Sequence, residues 1–145
     1  MMIKALSVRQ PWANAIMLGK DVENRSRYFG YRGPLLIHAS RTLDEAALDD
    51  PRIMTLPHNE LIFGQLIGLV TLLDCVRFSE HAPHWHSRWA DDNCWHLLLE
   101  NPRPLRHPVP YRGRLSLFDV DHELLRGLLP TGFENELPPG MLALR

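Results

Sequence analysis

Near the start of the chain, Gly19-Lys20-Asp21-Val22-Glu23-Asn24-Arg25 places an amine, a carboxylate and a guanidinium within six residues, at Lys20, Glu23 and Arg25. Brought to one place, these groups suit amide hydrolysis. That reaction needs an activated nucleophile, a cation or N–H donors for the developing oxyanion, and a proton for the departing amine. Spacing alone does not assemble them. In a regular strand Glu23 and Arg25 share one face and Lys20 points to the other, so Lys20 joins them only if the chain turns at Gly19-Lys20. The competing reading is a surface ion-pair ladder, a common feature that typically contributes less than ~1 kcal/mol.

The cluster lies in a basic segment. Arg9, Lys20, Arg25, Arg27, Arg32 and Arg41 alternate with Trp12, Tyr28, Phe29 and Tyr31. Forked guanidinium donors and flat aromatic faces suit single-stranded nucleic acid or a nucleotide. A solvated basic face beside core aromatics would have the same composition. Farther on, His81, His84, His86 and His96 with Cys94 could be taken for zinc ligands. No paired CxxC or HExxH spacing supports this, and Cys94 and His96 fall in a strand-like run, so no metal is expected. Trp85, Trp89 and Trp95 instead suggest a packed loop over the mouth of a groove. His38 stands among aliphatics and reads first as a satisfied core histidine, with a groove-facing role as the alternative beside Ala39-Ser40. Asp74 reads as a turn residue or a groove carboxylate.

These residues need a scaffold, and the chain provides a small one. Its 145 residues, 45% hydrophobic and 23% charged, fit one domain, 1–145, with a core over about 3–120 and a C-terminal helix and tail over 121–145. A formal net charge of −1 excludes nucleic-acid binding by bulk charge, yet residues 1–41 carry a net +5 and residues 42–145 a net −6. Strands are expected over Ile3–Val8, Leu35–Ala39, Ile62–Val76 (with a bulge or bend at Gly64 or Gly68), Cys94–Leu99 and Leu115–Val120. Short helices are expected from Pro11 to Gly19, from a capping box at Thr42-Leu43-Asp44-Glu45 through Leu48, and after Asp121, with Leu124, Leu125 and Leu128 on one face. Lys20 to Arg27 reads as extended, and the proline-rich stretch from Pro102 to Pro110 as a stiff connector. The fold class is mostly β with short helices: a small β-barrel with peripheral helices. Cys75 and Cys94 read as reduced, buried small hydrophobes. The N-terminal residues lack a signal peptide's apolar core, and no stretch reaches the ~20 residues of a membrane span, so a cytoplasmic protein is expected.

Several of these segments resemble a known family. Ala5-Leu6-Ser7-Val8-Arg9-Gln10-Pro11-Trp12-Ala13, the Lys20/Glu23/Arg25 cluster and Tyr31-Arg32-Gly33-Pro34-Leu35-Leu36-Ile37-His38-Ala39-Ser40 are similar to the ASCH domain family of the PUA-like superfamily. A looser match runs through Gly64–Val70, Asp74-Cys75-Val76 and Gly113–Phe118. The family signature is a glycine, any residue, a lysine, two residues, a glutamate, any residue and an arginine. Here Leu18 occupies the glycine position and Gly19 stands beside it. The resemblance implies a PUA-like barrel whose groove carries the Lys/Glu/Arg signature, and a role with RNA or modified nucleosides.

Some small bacterial members remove the acyl group from N4-acylated cytidines; others are proposed as RNA-binding modules or ribonucleases. In one amidohydrolase branch a catalytic threonine stands where this chain has Glu23. Without it, Glu23 is the economical choice to activate a water, with Lys20 stabilising the oxyanion if charged or serving as the base if neutral. Arg25 would orient Glu23 or bind substrate. Arg9, Gln10 and Trp12 would supply hydrogen bonds and a stacking face for a pyrimidine, with His38 and Ser40 at the strand end. The expected function is thus a cofactor-free hydrolase of N4-acylated cytosine nucleosides, with a non-catalytic RNA-binding domain or ribonuclease as the alternative. The expected partners are a modified pyrimidine nucleoside or RNA. No membrane association is expected and no DNA-specific motif is present.

Overall fold

The computed structural model describes residues 1–57 and 60–136. Six strands form one mixed sheet: β1 (Met2–Gln10), β2 (Val22–Arg25), β3 (Gly33–Leu43), β4 (Gln65–Arg77), β5 (Trp95–Pro110) and β6 (Leu117–Asp121), in the order β2-β5-β4-β3-β1-β6. Helices are short: α1 (Trp12–Met17), α2 (Pro51–Met54) and a few 3-10 turns. This is the mostly β, barrel-like α+β architecture expected. β1 and β3 run parallel, while every other pairing is antiparallel. A parallel pair cannot be joined by a tight turn and needs a crossover. The crossover here consists of α1 and β2, the stretch that carries Lys20, Glu23 and Arg25.

Side chains alternate across a strand, so the sheet has apolar residues on both faces. Leu35 and Ile37 pack with Leu6, Val8, Ile16, Leu72 and Leu97 on one side. Leu36 packs with Ile3, Leu66, Leu69, Phe118, Val120 and Leu125 on the other. Each such aliphatic contributes roughly 1.5–3 kcal/mol when fully buried. A third, smaller cluster of Ala15, Val22 and Trp89 ties α1 and β2 to the loop before β5. Cys75 and Cys94 are both free thiols. Among the described residues no helix is long and apolar enough to cross a membrane.

Three local expectations are corrected. The turn after β3 is capped by Asp44 rather than Thr42: β3 runs on to Leu43, the Asp44 side chain accepts from Ala47 N, and only a 3-10 turn over Glu45–Asp49 follows. Asp121 does cap, but only a 3-10 turn over His122–Leu125. Leu125 is buried and Leu124 exposed, so the leucines do not share a buried face. Any helix beyond residue 136 lies outside the described residues.

The proline-rich connector is in fact the second half of β5. Antiparallel pairing to β4 continues to Pro110, whereas β2 covers β5 only from Trp95 to Leu98. Among the described residues no strand pairs with the far edge of this half, and edges and bulges are settings where a strand tolerates proline. Pro102, Pro104, Pro108 and Pro110 lie along this half, whose pairing with β4 is broken by register shifts, and Arg106 donates its N–H to Leu128 O at 3.0 Å.

The expected bulge is real. Pairing of β4 with β5 shifts between Leu66 and Gly68, and Gly64 has φ +69°. Gly68 has a further constraint: a Cβ there would lie 2.2 Å from Met17 Cε and 2.8 Å from Arg103 O. The end of α1 rests on bare β4 backbone, which sets the height of the helix above the sheet. Gly68→Ala is expected to destabilise the fold by about 1–3 kcal/mol through overpacking. Adding Met17→Ala should recover part of that loss, as read from urea unfolding midpoints of the two variants.

Candidate active site

Gln10 ends β1 and fixes the start of α1. Its Oε1 accepts from Asn14 N at 2.9 Å, and its Nε2 donates to Ile62 O at 2.8 Å. The helix lasts under two turns. Leu18 stays at φ −98°, and Gly19 takes φ +113°, a value that favours glycine. Lys20 N then donates back to Ala15 O at 2.9 Å. The reversal needed to bring Lys20 beside Glu23 is thus made by Gly19, one residue after the usual signature glycine.

The consequence is a buried ion cluster. Lys20 is 3% exposed and Glu23 7%. Lys20 Nζ donates to Glu23 Oε1 and to Val22 O, each at 2.7 Å. Arg25 Nε donates to Glu23 Oε2 at 3.0 Å, and its Nη2 donates to Ser7 O on β1 at 3.0 Å. Each carboxylate oxygen therefore has one cation. Burial raises the Glu23 pKa, but the charges of Lys20 and Arg25 and their hydrogen bonds outweigh it and hold the group below its ordinary 4.5.

These residues line a cavity of about 420 Å³ with Ser7, Val8, Arg9, Trp12, Asn24, Ser26, Asp44 and Asp91. That volume is within the range of small-ligand clefts. Trp12 Nε1 donates to Asp44 Oδ2 at 2.9 Å, and Arg9 lies 3.7 Å from the same carboxylate. The Trp12 ring has Lys20 Nζ at 5.4 Å and the Arg52 guanidinium at 5.4 Å from its centroid. Arg52 also bonds Asp50 and Asp91, while Asn24 Nδ2 donates to Trp89 O and Asp91 Oδ2. The tryptophan is thus pinned by its N–H and by two cations.

Lys20, Glu23, Arg25, Arg9 and Trp12 come together in this cavity. Gln10 does not line it, because both ends of its amide are used to anchor backbone. His38 and Ser40 line a second cavity, of about 880 Å³, which meets the first at Ser7. His38 Nε2 donates to Tyr111 O at 2.6 Å, so its Nδ1 is left to accept from Ser7 Oγ at 2.9 Å. Burial lowers the His38 pKa below 6.5, partly offset by the Tyr111 hydrogen bond. Asp74 lies elsewhere, bonded to Arg32 and to Cys75 N.

Of the aromatics in the basic segment, Phe29 is a core residue, Tyr31 Oη donates to Pro34 O, and Tyr28 stays half-exposed under the Arg32 guanidinium. His84 and His96 pack with ring centroids 4.9 Å apart, and His96 Nε2 donates to Asp91 O. Ser7, Asn24, Asp44 and Asp91 were not singled out as site residues. Ser7 has one readable signal, a hydroxyl between the buried Leu6 and Val8 of β1. Asp44 lies within the expected capping box, where Thr42 is the expected cap, and it caps the turn with its other oxygen.

No protein-family model matches the chain, and no curated protein matches it in sequence. Solved structures do match. An ASCH protein from Zymomonas mobilis, solved as a tyrosine-to-phenylalanine mutant, aligns with a TM-score of 0.55 at 17% identity, covering 86% of this chain and 94% of that one. A second crystal structure of ASCH from Zymomonas mobilis gives 0.52 at 18% identity, covering 86% and 92%. A serine-to-alanine mutant gives 0.52 at 17%, with the same coverage. The likeness is one of fold: the chain has the fold of these ASCH structures, the architecture that the resemblance of its first forty residues implies.

Because the folded-state pKa of Glu23 is depressed, the stability it contributes is complete above about pH 4.5 and lost as pH falls through the lower folded value. The unfolding midpoint of the parent should drop steeply in that acid window. Glu23→Gln should be less stable at neutral pH and lack this part of the slope, as calorimetry across pH would register.

Proposed function

We propose that the chain is a metal-independent amidohydrolase acting on N4-acylated cytosine nucleosides. The observation that carries this reading is the buried Lys20–Glu23 pair, held at 2.7 Å on the wall of a cavity of nucleoside size. A mere phosphate grip gains nothing from a carboxylate at its centre, whereas hydrolysis needs one. Lys20 donates to a carboxylate and a carbonyl, the geometry of an ammonium, which favours the oxyanion-stabilising role over that of base.

Glu23, ionised at neutral pH, takes a proton from a water as that water attacks the acyl carbonyl carbon. Lys20 stabilises the negative charge that develops on the carbonyl oxygen. The C–N4 bond then breaks, and Glu23 returns its proton to the departing N4, leaving the free acid and the cytosine amine. Arg25, anchored on Ser7 O, orients Glu23 through Oε2. Arg9 and the edge of Trp12 border the space where the base would lie.

The test is turnover of N4-acetylcytidine by the purified protein, followed by chromatography. Glu23→Gln is expected to lower kcat by about 10²–10⁴-fold with little change in KM. Lys20→Met should abolish turnover while circular dichroism reports whether the variant is folded. Arg25→Lys should be milder in kcat and weaker in binding, since a fork is replaced by a point charge. Activity should survive EDTA. A parent protein that hydrolyses no acylated cytidine, and whose RNA affinity rises on Glu23→Gln, would decide for the RNA-binding alternative.

A further inference from the structure

The second cavity has a different charge character. Its eleven lining residues include Arg41, Arg112 and Arg114 and no acid, while the first cavity mixes Arg9, Lys20 and Arg25 with Glu23, Asp44 and Asp91. Among the described residues none of these three arginines is ion-paired, whereas Arg9, Arg25, Arg32 and Arg52 all are. In a chain of net charge −1, three unneutralised guanidiniums around one hollow form a local positive field.

Two glycines shape that hollow by letting other groups come close. A Cβ on Gly64 would lie 3.0 Å from Arg41 Nε, so the missing side chain seats the Arg41 stem against the start of β4. A Cβ on Gly113 would lie 2.9 Å from Ser7 Oγ and 2.7 Å from His38 Cε1, so the segment bearing Arg112 and Arg114 rests directly on the Ser7–His38 pair. His38 Nε2 secures the same segment through Tyr111 O. Ser7 is the shared wall: its carbonyl holds Arg25 of the first cavity and its hydroxyl holds His38 of the second.

We infer that the second cavity is a phosphate subsite, and that the nucleoside in the first cavity carries a phosphate reaching across Ser7 to Arg41, Arg112 and Arg114. Forked guanidinium donors match phosphate oxygens in geometry and charge. This rests on the nucleoside reading of the first cavity but not on hydrolysis, and it makes the preferred ligand a nucleotide or a residue within an RNA strand.

Calorimetric titration of the parent with cytidine, cytidine 5′-monophosphate, cytidine 3′-monophosphate and a short cytidine-containing RNA tests this without any turnover. At least one phosphorylated ligand should bind about tenfold or more tightly than cytidine. In R41A/R112A/R114A that advantage should vanish while cytidine affinity is unchanged, and R41K/R112K/R114K, which keeps the charge and loses the fork, should retain only part of it. A gain for RNA alone would identify the phosphodiester as the source; a gain for a mononucleotide would identify the terminal phosphate. For RNA, the triple alanine variant should also flatten the slope of log affinity against log salt by about 2. Equal binding of phosphorylated and unphosphorylated ligands by the parent, or a phosphate advantage that persists in the triple alanine variant, would overturn the inference even if N4-acetylcytidine is hydrolysed. Retention of the Arg-dependent advantage by a protein that hydrolyses nothing would sink the hydrolase reading and leave the subsite standing. No binding by any of the four would overturn the subsite together with the nucleoside reading.

Discussion

The Glu23 carboxylate, held between two cations, is the contact on which the rest of the site depends. Taking a carboxylate and an ammonium out of water costs several kcal/mol per ion, and their attraction offsets this only with near-ideal geometry. Here the geometry comes from outside the pair. Gly19 turns Lys20 inward, β2 presents Glu23 and Arg25 on one face, and Arg25 reaches on to Ser7 O. β2 is an edge strand and β1 stands four places away in the sheet, so that last bond links two distant parts of the sheet. It draws them together where backbone pairing does not. Losing one partner would leave a buried charge unmatched and loosen the seam as well.

The Trp12 wall follows the same logic on a smaller scale. An indole beside a polar cavity could swing, but its N–H is fixed on Asp44 and its ring borders Lys20 and Arg52. Arg52 is in turn fixed on Asp50 and Asp91, and Asp91 on Asn24 of β2. The loop before β5 thereby becomes part of the site through charge pairing, although no residue in it carries the proposed chemistry. A rigid wall of this kind lowers the ordering cost of binding a flat ligand.

Much of this was legible in the sequence because it depends on local rules. Apolar runs bounded by turn residues marked the strands, Pro11 and Gly19 bracketed α1, and Gly64 and Gly68 marked the bulge. The cluster itself was legible only as a set of residue types, since its assembly needed a turn that spacing could not guarantee. What escaped depended on partners far away in sequence. The prolines of β5 looked like a connector because nothing local reveals that one strand edge lacks a neighbour. Gln10 looked like a binding residue because its amide is satisfied by Ile62 O, 52 positions on. His38 and Ser40, expected beside Lys20, line the second cavity, and Ser7 stands between the two. Tyr31-Arg32-Gly33 and Tyr111-Arg112-Gly113 are identical triplets with different uses: Gly33 has a φ of +125°, and Gly113 allows the closeness of Ser7 and His38.

The outer edge of β5 bears on how the protein behaves among its own copies. An open strand edge is a template on which another chain can add, because it offers alternating donors and acceptors. From position 102 to 110 four nitrogens belong to prolines, which carry no N–H, and that of Arg106 is already bonded to Leu128 O. A strand approaching from solvent would find few N–H groups along this stretch with which to extend a ladder. Protection against edge-to-edge aggregation is therefore built into the covalent backbone, where neither salt nor pH can remove it.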